Sequence, residues 1–121
     1  MNTEFFRDYC LQKKHVEESL PFDDTTLVFK LNKKIFALLS LKDEVKSCNL
    51  KCDPEKAMSL RANYSGIIPG YHMNKTHWNT IVFDKDVSDQ LIYDLIDHSY
   101  QLIFSSFSKK VQTDLNECTN R

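Results

Sequence analysis

Residues 69–80 form a dense cluster of side chains that could do chemistry. Tyr71, His72, Asn74, Lys75, His77 and Asn79 fall within twelve positions, together with Trp78, the single tryptophan. Lys75 offers ammonium donors to a phosphate, and a histidine adds charge when slightly acidified. His72 before a loop, Lys75 at its tip and His77 opening the next strand would form an anion site. Asn74 and Asn79 would add neutral hydrogen bonds, and Tyr71 would assist. The competing reading is structural. Pro69-Gly70 and Asn74 shape turns, and His77 bonds its backbone surroundings. A metal held by His72 and His77 matches no common zinc spacing, and the sequence places no third ligand. Neither a metal nor a cofactor is expected.

Lys33, Lys34, Lys42 and Lys46 lie in or beside two short polar turns. With Lys75 they form a second candidate set for phosphate contact. Asp43 and Glu44 sit among them, and the formal net charge of the chain is −1. Nucleic-acid affinity must then come from a local patch, because phosphate neutralisation supplies it. The plain alternative is solvated turn lysines that discourage edge pairing. Trp78 is expected to anchor the core rather than stack a ligand, because apolar residues occupy both faces of its strand. His98 reads as a helix-edge residue. With no nucleophile elbow and no glycine-rich phosphate loop, no enzyme is expected.

The four cysteines, Cys10, Cys48, Cys52 and Cys118, suggest reduced thiols rather than a bridge or a metal site. Four residues of strand would hold Cys48 and Cys52 roughly 13 Å apart, too far for either. The start of the chain lacks the basic, apolar pattern of a signal peptide. No apolar run is long enough to span a membrane, and a cytoplasmic location is expected.

These residues need a scaffold, and 121 residues suffice for one domain. Thr3 is expected to cap a helix running to about Lys13 through Phe5, Phe6, Tyr9 and Cys10. His15 to Asp24 reads as a loop. Three strands follow: Leu27 to Leu31, Ile35 to Leu41 and Ser47 to Lys51, joined by short turns. The middle one is almost wholly apolar and should be central. Asp53-Pro54-Glu55 starts a second helix with a capping acid and a proline at its first position. A short strand after Gly66 and another from His77 to Phe83 come next. The last helix opens at Ser88-Asp89, and its apolar stripe from Leu91 to Ile103 is wide enough to cover a sheet. Residues 111–121 read as a polar, fraying tail beyond a domain at 1–110. The order α-β-β-β-α-β-β-α predicts an α+β fold, a two-layer sandwich with helices on one face of an antiparallel sheet.

Four blocks recur in order at matching spacing: residues 50–55 (LKCDPE), 69–75 (PGYHMNK), 77–80 (HWNT) and 95–100 (LIDHSY). On these the chain resembles the MmcQ/YjbR family of small bacterial proteins, from the first helix to about Lys110. The resemblance implies a fold similar to type III secretion chaperones. It also implies a "double-wing" DNA-binding role, but no catalytic mechanism. The expected function is duplex DNA binding, with Lys33, Lys34, Lys46 and Lys75 on phosphates and His72 or Tyr71 assisting. A chaperone-like protein-interaction module and a small-anion binder built on His72, Lys75 and His77 are the alternatives. The chain is expected to be a monomer.

Overall fold

A computed structural model describes residues 1–20, 24–42, 44–70 and 73–117. The elements are α1 (Thr3–Leu11), β1 (Val16–Ser19), β2 (Thr26–Leu31), β3 (Lys34–Ser40), β4 (Ser47–Lys51), α2 (Pro54–Asn63), β5 (Ile67–Pro69), β6 (Trp78–Val82), α3 (Asp89–Ser105) and α4 (Lys109–Glu117). The strands form one six-stranded sheet in the order β1-β2-β3-β4-β6-β5. Every neighbouring pair is antiparallel. This is the α+β architecture expected from the sequence.

Alternation along the strands sorts the apolar residues into two layers. Phe29, Leu31, Ala37, Leu39, Cys48, Leu50, Ile67, Ile81 and Phe83 meet Phe6 and Cys10 of α1 and Ile92, Leu95, Ile96 and Ile103 of α3. Val28, Leu38 and Trp78 form a smaller cluster on the other face, with Ile35 and Met73 packed against it. Trp78 is only 7% exposed, so it is the core anchor the sequence suggested.

The register shifts between Phe29 and Lys30, which leaves Phe36 as an extra residue in β3. This bulge turns Phe36 toward the helix layer, where its ring meets Tyr100 edge-on at 5.5 Å. Ser99, fully buried on α3, serves the same spot. Its hydroxyl donates to the Phe36 carbonyl at 2.5 Å and accepts from the Lys51 amide at 3.0 Å. One hydroxyl thus joins β3 to β4 just past Ala37 and Leu50, the last pair of their ladder.

Three local expectations are corrected. Asn2, not Thr3, caps α1, accepting from the Phe5 amide at 2.8 Å. The acidic stretch after His15 contains a strand, β1, whose charges hid it. Glu17 lies opposite Lys30, and Glu18 receives a two-pronged hydrogen bond from Arg7 at 2.7 and 2.5 Å. An edge strand tolerates such charge because one side faces solvent. Residues 111–117 are helical rather than frayed. Leu115 of α4 packs against the main core, and its carbonyl accepts from His15 Nε2 at 2.7 Å. Among the described residues, no helix is long and apolar enough to cross a membrane.

Candidate nucleic-acid interface

The connection from β5 to β6 is held from both sides. Gly70 donates its amide to the Trp78 carbonyl at 2.8 Å. A Cβ at Gly70 would lie 2.9 Å from the Trp78 carbonyl oxygen and Cβ, so only glycine fits this approach. The Asn74 side chain accepts from the Thr76 amide at 2.8 Å, which makes it a turn former. His77 donates its amide to the Asn74 carbonyl at 3.1 Å, and its own carbonyl accepts from Cys52 at 2.7 Å. From α2, Arg61 reaches under the loop. Its Nε donates to Asn79 Oδ1 at 2.6 Å, and its Nη2 donates to the carbonyls of Lys75 and, at 3.2 Å, Trp78. Tyr71 and His72 lie outside the described residues.

The register decides which lysines share a surface. Val16 pairs with Leu31, Leu31 with Lys34, and Lys51 with Trp78. The β2–β3 turn with Lys33 and the loop with Lys75 therefore leave the same end of the sheet. Only β4 separates β3 from β6, so the two turns are two to three strand spacings apart, about 10–14 Å across the strands. Lys13 and Lys14 precede β1 at this end. Lys109 and Lys110 open α4 beside it, because Lys34 Nζ donates to Ser106 Oγ at 3.2 Å and sits 4.9 Å from the Phe107 ring centre. Asp53 and Glu55 at the start of α2 interrupt the basic surface on one side.

Lys46 is not part of this surface. It follows β3 in the turn at the opposite end, about 20 Å away along the seven residues of that strand. There its Nζ donates to the Leu41 carbonyl at 2.8 Å. That end also carries Asp84 and Asp89, which surround the Met1 ammonium at 3.6 and 2.8 Å. Asp86 caps the Ser65 and Gly66 amides there at 2.7 and 2.8 Å. The opposite end thus mixes Lys42, Lys46 and Lys85 with Asp84, Asp86 and Asp89, whereas lysines outnumber acids at the end with Lys33 and Lys75.

Lys33 occupies an unusual backbone position. Asn32 and Lys33 form a two-residue hairpin turn with φ of 46° and 73°. Asparagine adopts that left-handed region readily, whereas the second position of such a turn is normally glycine. The lysine here is exposed and accepts local strain.

A YjbR family model matches residues 11–102. The chain belongs to the YjbR family. It is 39% identical over 103 residues to YbdF of Escherichia coli O157:H7, covering 85% of this chain and 84% of that protein. It is 36% identical over 93 residues to YjbR of E. coli strain K12, covering 77% and 79%. The crystal structure of Deinococcus radiodurans protein DR2400, a DUF419 domain, superposes with a TM-score of 0.90 at 35% identity. That match covers 95% of this chain and 88% of DR2400.

The YjbR blocks in this chain hold the scaffold as much as any site. His98, in the last block, accepts from the Asp53 amide at 3.1 Å through Nε2 and so supports the start of α2. Burial, and then nearby Lys56, lower its pKa below the ordinary 6.5. The folded protein therefore holds fewer protons on His98 than the unfolded chain in the window just under that value. Stability must fall as pH drops through it. We expect a lower urea midpoint at pH 5.5 than at pH 7.5, and a smaller difference in His98→Gln. An equal pH response in both proteins would contradict this. Burial pushes the thiols of Cys10 and Cys48 up, and that of Cys52 up to about 11, so these cysteines are packing residues.

Sequence reasoning did not mark Arg61, Lys13, Lys14, Lys109 or Lys110. Arg61 looked like an ordinary helix residue because its partners lie 14 to 18 positions away. The other four were separated from the turn lysines in sequence and meet them only through the register.

Proposed function

We propose that this chain is a duplex DNA-binding protein that grips phosphates with the basic end of its sheet. Lys33 and Lys75 lead the contact, with Lys13, Lys14, Lys109 and Lys110 flanking them. Lys34 supports the turn through its Ser106 and Phe107 contacts. The observation that carries the reading is Lys33, a lysine at the tip of a turn whose backbone suits glycine. A strained position kept for its side chain points to function rather than to folding. Two lysine turns about 10–14 Å apart also match phosphates flanking a major groove roughly 12 Å wide. The YjbR resemblance adds the double-wing expectation.

This reading is of binding without catalysis, in the cytoplasm, by a monomer. Glu17 and Glu18 on one edge strand and Pro69 on the other discourage strand addition between copies. The exposed apolar residues Phe5, Leu20, Val45, Met58 and Ile68 are scattered over separate segments, which favours a nucleic acid over a protein partner.

Lys33→Gly separates folding from function. Relief of the left-handed strain should raise stability by about 1 kcal/mol. The same change should weaken duplex binding severalfold, as read by fluorescence anisotropy at low salt. A variant that is more stable and binds duplex as well as the parent would remove Lys33 from the interface.

A further inference from the structure

We propose that a cleft between the end of α1 and the middle of α3 binds a nucleoside phosphomonoester, either a free mononucleotide or the phosphorylated 5′ end of a strand. The strand-end form rests on the DNA-binding reading above; the free mononucleotide form does not.

The cleft is open to solvent, encloses ≈ 360 Å³ and is lined by Tyr9, Gln12, Lys13, Lys14 and Tyr100. That volume lies in the range of small-molecule sites, between roughly 300 and 1,000 Å³. Its walls are fixed before any ligand arrives. Tyr9 donates its hydroxyl to Asp97 at 2.9 Å, and its ring packs on Tyr93 with centres 4.3 Å apart. Tyr100 donates to the Lys14 carbonyl at 2.8 Å and is pinned edge-on against Phe36. The Lys13 ammonium is held between the two rings, 5.1 and 5.2 Å from their centres, and lies 2.5 Å from Asp97. Groups already ordered lose little freedom when a ligand binds.

Asp97 already holds Lys13, and Asp94 also acts on Tyr9, so Lys14 is the cation that the cleft offers to a phosphate. Lys13 already covers the ring faces, so the edges of Tyr9 and Tyr100 that line the cleft offer the apolar surface against which a base packs. Gln12 is exposed at the rim and can both donate to and accept from a base edge. An isolated inorganic anion would use Lys14 but leave the rings and Gln12 idle.

The test is a titration of the full chain with 5′-AMP, followed by NMR shifts of Tyr9 and Tyr100 and by calorimetry. We expect saturable binding, weakened about tenfold or more by Lys14→Glu and by Gln12→Ala, each a change of about 1.4 kcal/mol or more. Both residues are exposed, so these variants keep the fold. Lys33→Glu should leave AMP affinity unchanged while weakening duplex binding, so the two readings can fail separately. Adenosine and inorganic phosphate should each bind more weakly than AMP. A 5′-phosphorylated oligonucleotide that displaces AMP better than its 5′-hydroxyl counterpart identifies the strand end as the source. Equal competition identifies a free mononucleotide. No saturation at millimolar AMP, equal affinity for adenosine, equal affinity for inorganic phosphate, or indifference to both cleft variants would each overturn the proposal.

Discussion

Ser99→Ala should destabilise the protein by about 3 kcal/mol, a large share of a typical domain's 5–15 kcal/mol. The residue is fully buried, and alanine is small enough to fill the site without a clash. The loss is therefore one of hydrogen bonding. The Phe36 carbonyl and the Lys51 amide would both be left in the interior without the hydroxyl that joins them. Each unsatisfied group costs about 1–3 kcal/mol, far more than the roughly 1 kcal/mol net worth of an ordinary bond. Ladder pairing does not supply the bond, because the β3–β4 register ends at Ala37 and Leu50, one step short of these two groups. Urea denaturation should show a lower midpoint with an unchanged slope. A loss below about 1 kcal/mol would mean that the strands relax to pair directly and that the serine is a spacer.

Arg61→Ala should cost about 2 kcal/mol and also loosen the Lys75 loop. The guanidinium carries bonds to Asn79 Oδ1 and to the carbonyls of Lys75 and Trp78. Asn79 is 2% exposed, so its amide oxygen would lose its donor away from water. The arginine itself is half-buried, which keeps the expected cost at the lower end for a charged donor. Lysine should not rescue it, because a single ammonium nitrogen cannot occupy both places from which Nε and Nη2 reach these acceptors. Amide exchange at His77 and Gly70, both tied into this loop, should accelerate in Arg61→Ala more than the stability loss alone explains. Exchange that merely follows global stability would show that the loop is held without Arg61.

What the sequence disclosed follows from which signals are local. The strand β3 was legible because an apolar run of that length admits few alternatives. The start of α2 was legible because Asp53-Pro54 is a local capping signal, and Asp53 does accept from the Lys56 amide at 3.1 Å. The strand β1 was hidden because its one apolar residue, Val16, gives no alternation to read. The helix α4 was hidden because Val111 and Leu115 alone mark its inner face. At the candidate site, the turn residues were legible and their grouping was not. Lys46 stood beside Lys33 and Lys34 in the sequence-based set, yet an antiparallel hairpin sends successive turns to opposite ends of a sheet. The same register brings Lys33 and Lys75 together across some forty residues of chain. Ser99 was readable as a close-packing position, but its strand-bridging hydroxyl depends on where the β3–β4 ladder ends, which no local pattern announces.

The surplus of lysines at one end of the sheet is the centre of this account, and one measurement addresses it directly. Duplex DNA binding is followed by fluorescence anisotropy over a salt series for two double charge reversals. One, Lys33→Glu with Lys75→Glu, alters the basic end. The other, Lys42→Glu with Lys85→Glu, makes the same change in net charge at the opposite end. We expect parent affinity to fall steeply with salt, with a logarithmic slope of about −3.6 to −5.4 for four to six phosphates. The basic-end variant should lose at least about tenfold in affinity and about two units of slope. The opposite-end variant should stay within about threefold of the parent, since only a weak long-range field acts there. Equal losses in the two variants, or no duplex binding by the parent at micromolar protein in low salt, would contradict the account.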